Sequence, residues 1–302
     1  EALATLRFIE EGAAFYHALR GKITTVKQLF LSLFFIVFPD AIKIIEKLKT
    51  ENASHKITIL NFTTESGVFY QSLNLTYQVF GPELNTAPIV LVNHALTGNS
   101  QVIGENGWWN DIIGENKIID THKYTVVAFN VPGNGYDSEI IENYLDFNAR
   151  DIARLFLEGL EILKTKQLFA IIGGIAWEMV GLNPKITQHL IPVASDWKAT
   201  DWLIANCFLQ EQILKNSSKP IEDARIHAML CYRSPESFKE KFQRTKNEEL
   251  NIFNIESWLN HHGDKLQKRF QLSSYKLMNQ LLKTIDITRG RNSFDEMAPK
   301  IE

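Results

Sequence analysis

The sequence has little cysteine and no apolar run long enough to cross a membrane. Two of its 302 residues are cysteines, Cys207 and Cys231, and they form neither a C-x-x-C pair nor a metal-binding spacing. We expect both to be buried, reduced thiols, as in a reducing cytoplasm. The longest apolar stretch, Leu29 to Phe38, has about ten residues, whereas a membrane-spanning helix needs about twenty. Because no basic tip precedes an apolar segment, we expect no signal peptide, no membrane partner and a cytoplasmic location.

The sequence also lacks an excess of charge of one sign. Its 32 basic and 35 acidic side chains give a formal net charge of -3 at pH 7. A nucleic-acid-binding protein would concentrate positive charge on one surface, so we expect no nucleic-acid partner. Neither of the common glycine-rich phosphate-binding motifs is present. The adjacent pair His261-His262 would diverge by about 100° on a helix and has no third ligand nearby, so we expect no metal and no bound cofactor.

The sequence does contain a regular succession of short apolar runs. Of six such runs, the last four along the chain are almost continuously apolar and alternate with helical segments such as Asp151 to Leu163. This alternation is typical of a parallel sheet buried on both faces. The pattern predicts an α/β protein with a doubly wound, mostly parallel sheet. The six predicted strands are Ile57 to Phe62, Leu73 to Phe80, Ile89 to Val92, Tyr124 to Phe129, Leu168 to Ile172 and Leu190 to Ala194.

Helical patterns flank this sheet in the sequence. Residues 1–55 are predicted to form an N-terminal helical segment of unknown role, and residues 56–197 form the core. After Asp196 the strands stop, and about ninety residues, 198–288, are predicted to be helices that form a lid over the site. Residues 289–302 would start the return to the core. We expect the tryptophans of the core and lid to be packed: Trp177, Trp197, Trp202 and Trp258.

One residue type is missing at an informative place. A predicted strand ending at Ile172 and a predicted helix beginning at Ala176 are joined by the turn Gly173-Gly174-Ile175. In α/β hydrolases such a turn carries the nucleophile, because it lifts the side chain above the sheet and aims backbone amides at the oxyanion. This turn contains no serine, cysteine or aspartate. The nearest serines, Ser138 and Ser195, belong to other loops.

Several motifs follow one another in order along residues 56–290. The predicted core carries Asn93-His94-Ala95-Leu96-Thr97-Gly98, then Gly107-Trp108-Trp109 and Asn130-Val131-Pro132-Gly133-Asn134-Gly135. The predicted lid carries Leu230-Cys231-Tyr232-Arg233-Ser234-Pro235-Glu236-Ser237-Phe238, Phe253-Asn254-Ile255-Glu256-Ser257-Trp258-Leu259, Lys268-Arg269-Phe270 and Ser274-Tyr275. In this order and spacing the motifs resemble those of the homoserine O-acetyltransferase family, which has the α/β-hydrolase fold.

The resemblance implies acetyl transfer from acetyl-CoA, a substrate, to the hydroxyl of homoserine in methionine biosynthesis, by a ping-pong acyl-serine mechanism. It implies that the backbone amide of Leu96 donates to the oxyanion and that Gly174 is a remnant of the nucleophile turn. It also implies a homodimer formed through the lid. We expect His94 to order its loop, since members of this fold place the catalytic base after the last strand; the alternative is that His94 acts as the base.

The sequence departs from the family pattern in three places. The family turn is Gly-Gly-Ser-x-Gly-Gly, so about five residues, including the nucleophile, are missing after Gly174. The sequence ends at Glu302, before the expected acid and histidine of the triad, so the sixth strand is predicted to have an exposed edge. Glu211 stands where many members carry an arginine for the acceptor carboxylate. Arg225 and Arg233 are therefore candidate substrate-binding cations, with ion pairing at the helix surface as the alternative.

Two functions remain open from the sequence alone. The first is an O-acyltransferase of the homoserine type. The second is a catalytically silent or fragmentary α/β-hydrolase homologue that acts as an interaction or dimerisation module. Hydrolysis of a small ester or thioester is a weaker third option, because it needs the same absent nucleophile. The sequence does not distinguish acetyl from succinyl as the transferred group.

Overall fold

The central element is a six-stranded, mostly parallel sheet. The computed structural model of the protein describes residues 54–136, 140–291 and 293–301, so the predicted N-terminal helical segment lies outside the described residues apart from its last two positions. The sheet has the order β1-β2-β6-β3-β7-β8, in which β1 and β2 are antiparallel to their neighbours and β6, β3, β7 and β8 are parallel. Its strands are β1 His55–Thr63, β2 Phe69–Phe80, β3 Ile89–Val92, β6 Thr125–Phe129, β7 Leu168–Ile172 and β8 Thr187–Ile191.

The strands that are buried on both faces are those that the apolar runs predicted best. Strands β3 and β7 coincide with their predicted ranges, and β3 and β6 are buried throughout. The predicted position of β8 was wrong by three residues: it begins at Thr187 and ends at Ile191. Within the described residues β8 pairs with β7 alone, so its outer edge is open, as expected. Much of β8 is exposed, and an exposed strand needs no continuous apolar run.

Each face of the sheet has a different cover. One face packs against α1 (Ala149–Ile162) and α2 (Ala176–Leu182), the crossover helices that lead to β7 and β8. The opposite face packs against the segment between Val102 and Tyr124, which contains the paired two-residue strands β4 (Ile113–Gly114) and β5 (Ile119–Asp120). The α/β class is confirmed. The two apolar core layers lie on opposite faces of the sheet, and the central strands contribute side chains to both.

Helices follow β8, as the sequence predicted for the lid. They include α3 Asp201–Asn216, α4 Pro220–Cys231, α5 Pro235–Phe242, α6 Asn254–Gln267 and α7 Leu272–Lys283, with α8 Phe294–Met297 beyond them. A two-stranded ribbon, β9 (Lys246–Asn247) and β10 (Ile252–Phe253), separates α5 from α6. Helix α5 begins as its sequence predicts: the Ser234 side chain accepts a hydrogen bond from the Ser237 amide at 3.3 Å, and Pro235 occupies the first turn.

Two expectations about lid packing were wrong. Cys231 is exposed, whereas Cys207 is buried as predicted, and burial raises the pKa of the Cys207 thiol to about 11. Trp202 is 77% exposed on α3, while Trp197 stacks on Phe294 with ring centroids 4.6 Å apart. Both exposed residues lie on helices of the lid, which at these positions present apolar side chains to solvent. None of the helices in the described ranges is long and apolar enough to span a membrane.

A buried charge network ties the segment after the lid to the core. Arg150 on α1 donates from Nε to Glu178 on α2 at 3.0 Å, and both side chains are almost fully buried. The Arg150 guanidinium also donates to the carbonyls of Asp286 and Arg289, each at 2.8 Å. Glu178 in turn accepts from the Asp286 amide at 2.9 Å. These bonds satisfy both buried charges and hold residues 286–289 against the two crossover helices.

Candidate acyl-transfer site

The candidate site lies where two neighbouring parallel strands end. The connection after β3 leads to β6 on one side, and the connection after β7 leads to β8 on the other. Ligands of open α/β sheets bind in the crevice that such a reversal creates at the carboxyl ends of the strands. The backbone joins the two loops directly, because the Asn93 amide donates to the Ile172 carbonyl at 2.8 Å. Leu96 and Gly174, which follow these strands, are thereby brought into one region.

The turn after β7 is short and tightly packed. Gly173 has φ +112°, and a Cβ at this position would lie 2.4 Å from the Asn93 carbonyl oxygen, so only glycine fits. The predicted strand, turn and helix are all present, but the turn consists of Gly173-Gly174-Ile175 alone. None of these residues has a hydroxyl, thiol or carboxyl group. Among the described residues, the Ser195 hydroxyl lies beside the turn, and its Oγ donates to the Gly174 carbonyl at 3.1 Å. Ser138 lies outside the described residues.

The loop after β3 offers a backbone donor. Leu96 is half-buried and packs against the main core. Within the described part of the chain, its N–H makes no hydrogen bond, whereas the nearby Gly98 amide donates to the Ala95 carbonyl at 2.9 Å. An unpaired amide that a packed loop holds in one orientation is the arrangement by which a site stabilises an oxyanion. The role of Leu96 as a donor stays a prediction that this geometry supports.

His94 is fully engaged in ordering this loop. Its Nδ1 lies 2.8 Å from the Ala95 carbonyl, and its Nε2 accepts from the Val131 amide at 3.0 Å, with the Asn134 side-chain amide at 3.3 Å. These partners assign the proton to Nδ1. Burial lowers the pKa of His94 from 6.5 to about 4, so the ring is neutral at physiological pH. With both nitrogens occupied, the geometry favours the loop-ordering role over that of a base.

A buried hydrogen-bond network joins this loop to the one after β6. The Asn130 side chain accepts from the Ser100 amide at 2.8 Å and donates to the Thr76 hydroxyl at 2.9 Å. The Ser100 hydroxyl donates to Gln78 at 2.7 Å. Asn134 donates to Asn130 at 3.2 Å. Because each side chain of this network has a partner, the network holds the two loops together beneath the site.

Glu211, which replaces the family arginine, has a cationic partner of its own. Its Oε2 lies 3.3 Å from Lys283 Nζ on α7, and its Oε1 accepts from the Tyr144 hydroxyl at 3.3 Å. The carboxylate therefore belongs to a junction between α3, α7 and the segment before α1. A carboxylate repels the carboxylate of a substrate, and the ion pair with Glu211 also occupies the Lys283 ammonium, so this junction does not replace the family arginine.

The two candidate arginines contact other lid residues. The Arg225 guanidinium lies 5.4 Å from the ring centre of Tyr232. The Arg233 guanidinium lies 5.7 Å from the ring centre of Trp258 and donates to the Ser237 hydroxyl at 3.3 Å. These contacts do not bring either side chain to the loop after β3. Sequence reasoning did not single out Arg269, whose guanidinium donates to the Thr97 carbonyl of that loop at 3.2 Å. Its only signal in the sequence was its place in the Lys268-Arg269-Phe270 motif.

Metal-binding side chains do not assemble in the described part of the chain: no group of three or more histidine, cysteine, aspartate or glutamate side chains is placed to hold an ion. The adjacent histidines of α6 serve packing. The His262 ring makes an edge contact with Trp258 at 4.5 Å between ring centres, and His261 lies 5.6 Å from His262.

Comparison with known proteins assigns the chain to a family. No family model matches the sequence. The homoserine O-acetyltransferase of Symbiobacterium thermophilum is 30% identical over 79% of this chain and 74% of that protein. The enzyme of the same name from Cyclobacterium marinum is 32% identical over 75% of this chain and 72% of that protein. The structure of homoserine O-acetyltransferase from Staphylococcus aureus superimposes with a TM-score of 0.71 at 25% identity, covering 83% of this chain and 77% of that one. With its α/β-hydrolase sheet, its loop after β3 and its helical lid, this chain belongs to the homoserine O-acetyltransferase family.

Proposed function

We propose that the site is built for transfer of an acetyl group from acetyl-CoA to the hydroxyl of homoserine. The observation that supports the proposal is the geometry of the loop after β3, residues 93–98, which we name the oxyanion loop for its proposed role: His94 orders it, and the Leu96 amide is unpaired within the described residues. In a ping-pong route a hydroxyl of the protein, for which Ser195 is the candidate beside the turn, loses its proton and attacks the thioester carbon. The coenzyme takes up a proton and leaves as the thiol, and the acceptor hydroxyl then attacks the ester, takes the acetyl group and restores the protein hydroxyl. The Leu96 amide would stabilise the negative charge on the carbonyl oxygen in both steps. Family membership supports homoserine as the acceptor.

The second candidate function is that of a catalytically silent homologue, and the turn after β7 favours it. The turn offers no nucleophile, and the Ser195 hydroxyl beside it directs its proton to the carbonyl of Gly174. Its other hydrogen-bond acceptor is the Asp196 carbonyl at 3.4 Å, so no imidazole among the described residues activates it. Such a protein would act through its surface, as a partner or as a homodimer formed by the lid.

A thiol-release assay separates these candidates. The protein is incubated with acetyl-CoA, with and without homoserine, and free thiol is followed over time beside a heat-denatured control. Homoserine-dependent release, together with O-acetylhomoserine in the product, supports acyl transfer. Release above the control without homoserine, with acetate as product, supports ester hydrolysis instead. No release from protein that is folded by circular dichroism establishes the silent homologue.

Two further experiments identify the acyl-carrying residue and the preferred acyl group. Intact-mass spectrometry after incubation with acetyl-CoA alone shows whether an acetyl group is carried covalently. Loss of that adduct in Ser195→Ala would place it on Ser195, whereas an unchanged adduct would exclude this hydroxyl. Replacing acetyl-CoA with succinyl-CoA identifies the preferred acyl group.

A further inference from the structure

Arg269 connects the lid to the oxyanion loop. It follows α6, and its guanidinium Nη1 donates to the Thr97 carbonyl at 3.2 Å and to the Tyr136 hydroxyl at 2.5 Å. The Tyr136 hydroxyl itself donates to the same Thr97 carbonyl at 3.4 Å. Arg269 and Tyr136 thus meet one residue beyond Leu96. The contact joins positions 172 residues apart in the sequence, so it exists because the lid is seated on the core.

Most of the hydrogen-bonding capacity of Arg269 is unused. Both of its bonds come from Nη1, and within the described residues Nη2 and Nε have no partner. No carboxylate of that part of the chain forms an ion pair with this side chain, whereas the neighbouring Lys268 pairs with Asp264 at 2.6 Å. Arg269 is exposed, so a solute can reach it. A guanidinium fixed on one side and open on the other presents two parallel donors, which match a carboxylate or a phosphate.

The position of Arg269 fits the size of a short hydroxy acid. Leu96 N and Thr97 O belong to adjacent residues and therefore lie within about 7 Å of each other. Nη1 of Arg269 is 3.2 Å from that oxygen, so the Leu96 amide is within about 10 Å of the guanidinium. A four-carbon amino acid spans about 5 Å from its carboxylate to its terminal hydroxyl, with contacts of about 3 Å at each end. Such a molecule can therefore bridge the guanidinium and a carbonyl carbon held at Leu96.

Two other cationic residues of the lid are engaged elsewhere. Lys283 pairs with Glu211, and Arg233 lies over Trp258 and donates to Ser237. In the part of the chain that the structure describes, Arg269 differs from these two because it contacts the oxyanion loop and keeps unpaired donors.

We propose that Arg269, positioned by Tyr136, binds the carboxylate of the acyl acceptor and so selects a hydroxy acid as the substrate. This inference rests on the proposed function for the identity of the acceptor. The carboxylate contact itself does not require the covalent step, so it is tested by binding.

The test is a binding measurement by isothermal titration calorimetry on the wild type, Arg269→Gln and Arg233→Gln. The probes are L-homoserine, L-homoserinamide, 4-hydroxybutyrate and coenzyme A. The amide removes the carboxylate, and 4-hydroxybutyrate keeps the carboxylate and hydroxyl without the amine. Arg233→Gln is the matched control, because it removes another exposed lid arginine. Thermal unfolding of each variant shows that it is folded.

We expect Arg269→Gln to weaken homoserine binding by roughly tenfold or more, because it removes a charge-assisted, two-donor contact. Homoserinamide should bind weakly to every form, and Arg233→Gln should bind homoserine as the wild type does. Arg269→Lys should restore only part of the affinity, since an ammonium lacks the planar fork.

The remaining outcomes separate the two proposals. Equal homoserine binding by wild type and Arg269→Gln overturns the role of Arg269 and leaves homoserine as the acceptor. Arg269-dependent binding of 4-hydroxybutyrate without binding of homoserine keeps the carboxylate site and overturns the proposed acceptor. A loss of coenzyme A affinity alone in Arg269→Gln assigns the side chain to a donor phosphate and overturns the inference. No binding of any carboxylate probe to the wild type overturns it as well.

Discussion

His94 shows how one buried side chain determines the shape of the loop after β3. Its Nε2 accepts a hydrogen bond from the Val131 amide, and its Nδ1 lies within hydrogen-bond distance of the Ala95 carbonyl. The ring therefore links the loop after β3 to the loop after β6. A protonated ring would have to keep a proton on Nε2 facing the Val131 N–H. Burial opposes protonation more strongly than the hydrogen bond to the Ala95 carbonyl favours it, so the pKa of His94 falls to about 4.

This shift predicts a pH dependence of stability. The unfolded chain binds a proton at His94 near pH 6.5, and the folded chain does so only near pH 4. The contribution of neutral His94 is therefore complete above pH 6.5 and is lost as the pH falls toward 4, by about 1.4 kcal/mol per pH unit. We expect the free energy of unfolding of the wild type, from urea titrations between pH 4.5 and 7.5, to fall more steeply than that of His94→Gln. If the free energy of unfolding changes equally with pH in the two proteins, the lowered pKa of His94 in the folded protein is contradicted.

At the scale of the secondary-structure elements, the charge network of α1 and α2 determines how the chain after the lid is anchored. Arg150 and Glu178 have side chains that are 7% and 0% exposed, and their bonds to Asp286 and Arg289 connect elements far apart in sequence. Removal of one charge leaves the other buried without its main partner, although Glu65 still lies 3.1 Å from Arg150.

We therefore expect Glu178→Gln to lower the free energy of unfolding by about 3 kcal/mol or more. The matched control is Lys198→Met, which breaks the pair between Lys198 and Asp286, whose lysine is half exposed; it should cost less than about 1 kcal/mol. Chemical denaturation at neutral pH measures both. The double variant Arg150→Met/Glu178→Leu should recover much of the loss, because it removes both buried charges. Equal effects of Glu178→Gln and Lys198→Met would contradict this view of the network.

The elements also show which parts of the site could be predicted from the sequence. Strands β3 and β7 are buried on both faces, so their apolar runs placed the turns that follow them, and with them Leu96 and Gly174. Strand β8 is partly exposed and begins with polar residues, so no apolar run marks where it starts. The pairing of Glu211 with Lys283 and the reach of Arg269 to Thr97 depend on how the lid docks. Periodicity within one helix carries no information on such contacts, so the sequence led to Arg225 and Arg233 instead.

At the scale of the whole molecule, the lid presents apolar side chains where a monomer would normally place polar ones. On α3, Trp202, Phe208 and Leu209 are 77%, 58% and 46% exposed. Trp202 and Leu209, seven residues apart, lie on the same face of α3, and Phe208 lies about 100° around the helix from Leu209. A lone subunit leaves this apolar surface in water, at a cost that burial against a second surface would remove. The family resemblance implies a homodimer through the lid, and we propose a second copy of this chain as the partner of this face.

The last prediction concerns that self-association. Light scattering after size-exclusion chromatography should give twice the chain mass for the wild type and the mass of one chain for Trp202→Gln/Phe208→Gln, since apolar area drives the contact. Leu60→Gln is the matched control: Leu60 is 64% exposed but lies on β1 of the core, outside the lid, and its replacement should leave the mass unchanged. A wild type that runs as a monomer at high concentration, or a lid variant that stays dimeric while folded, would contradict the proposal. Loss of association in Leu60→Gln alone would place the interface on the sheet edge formed by β1.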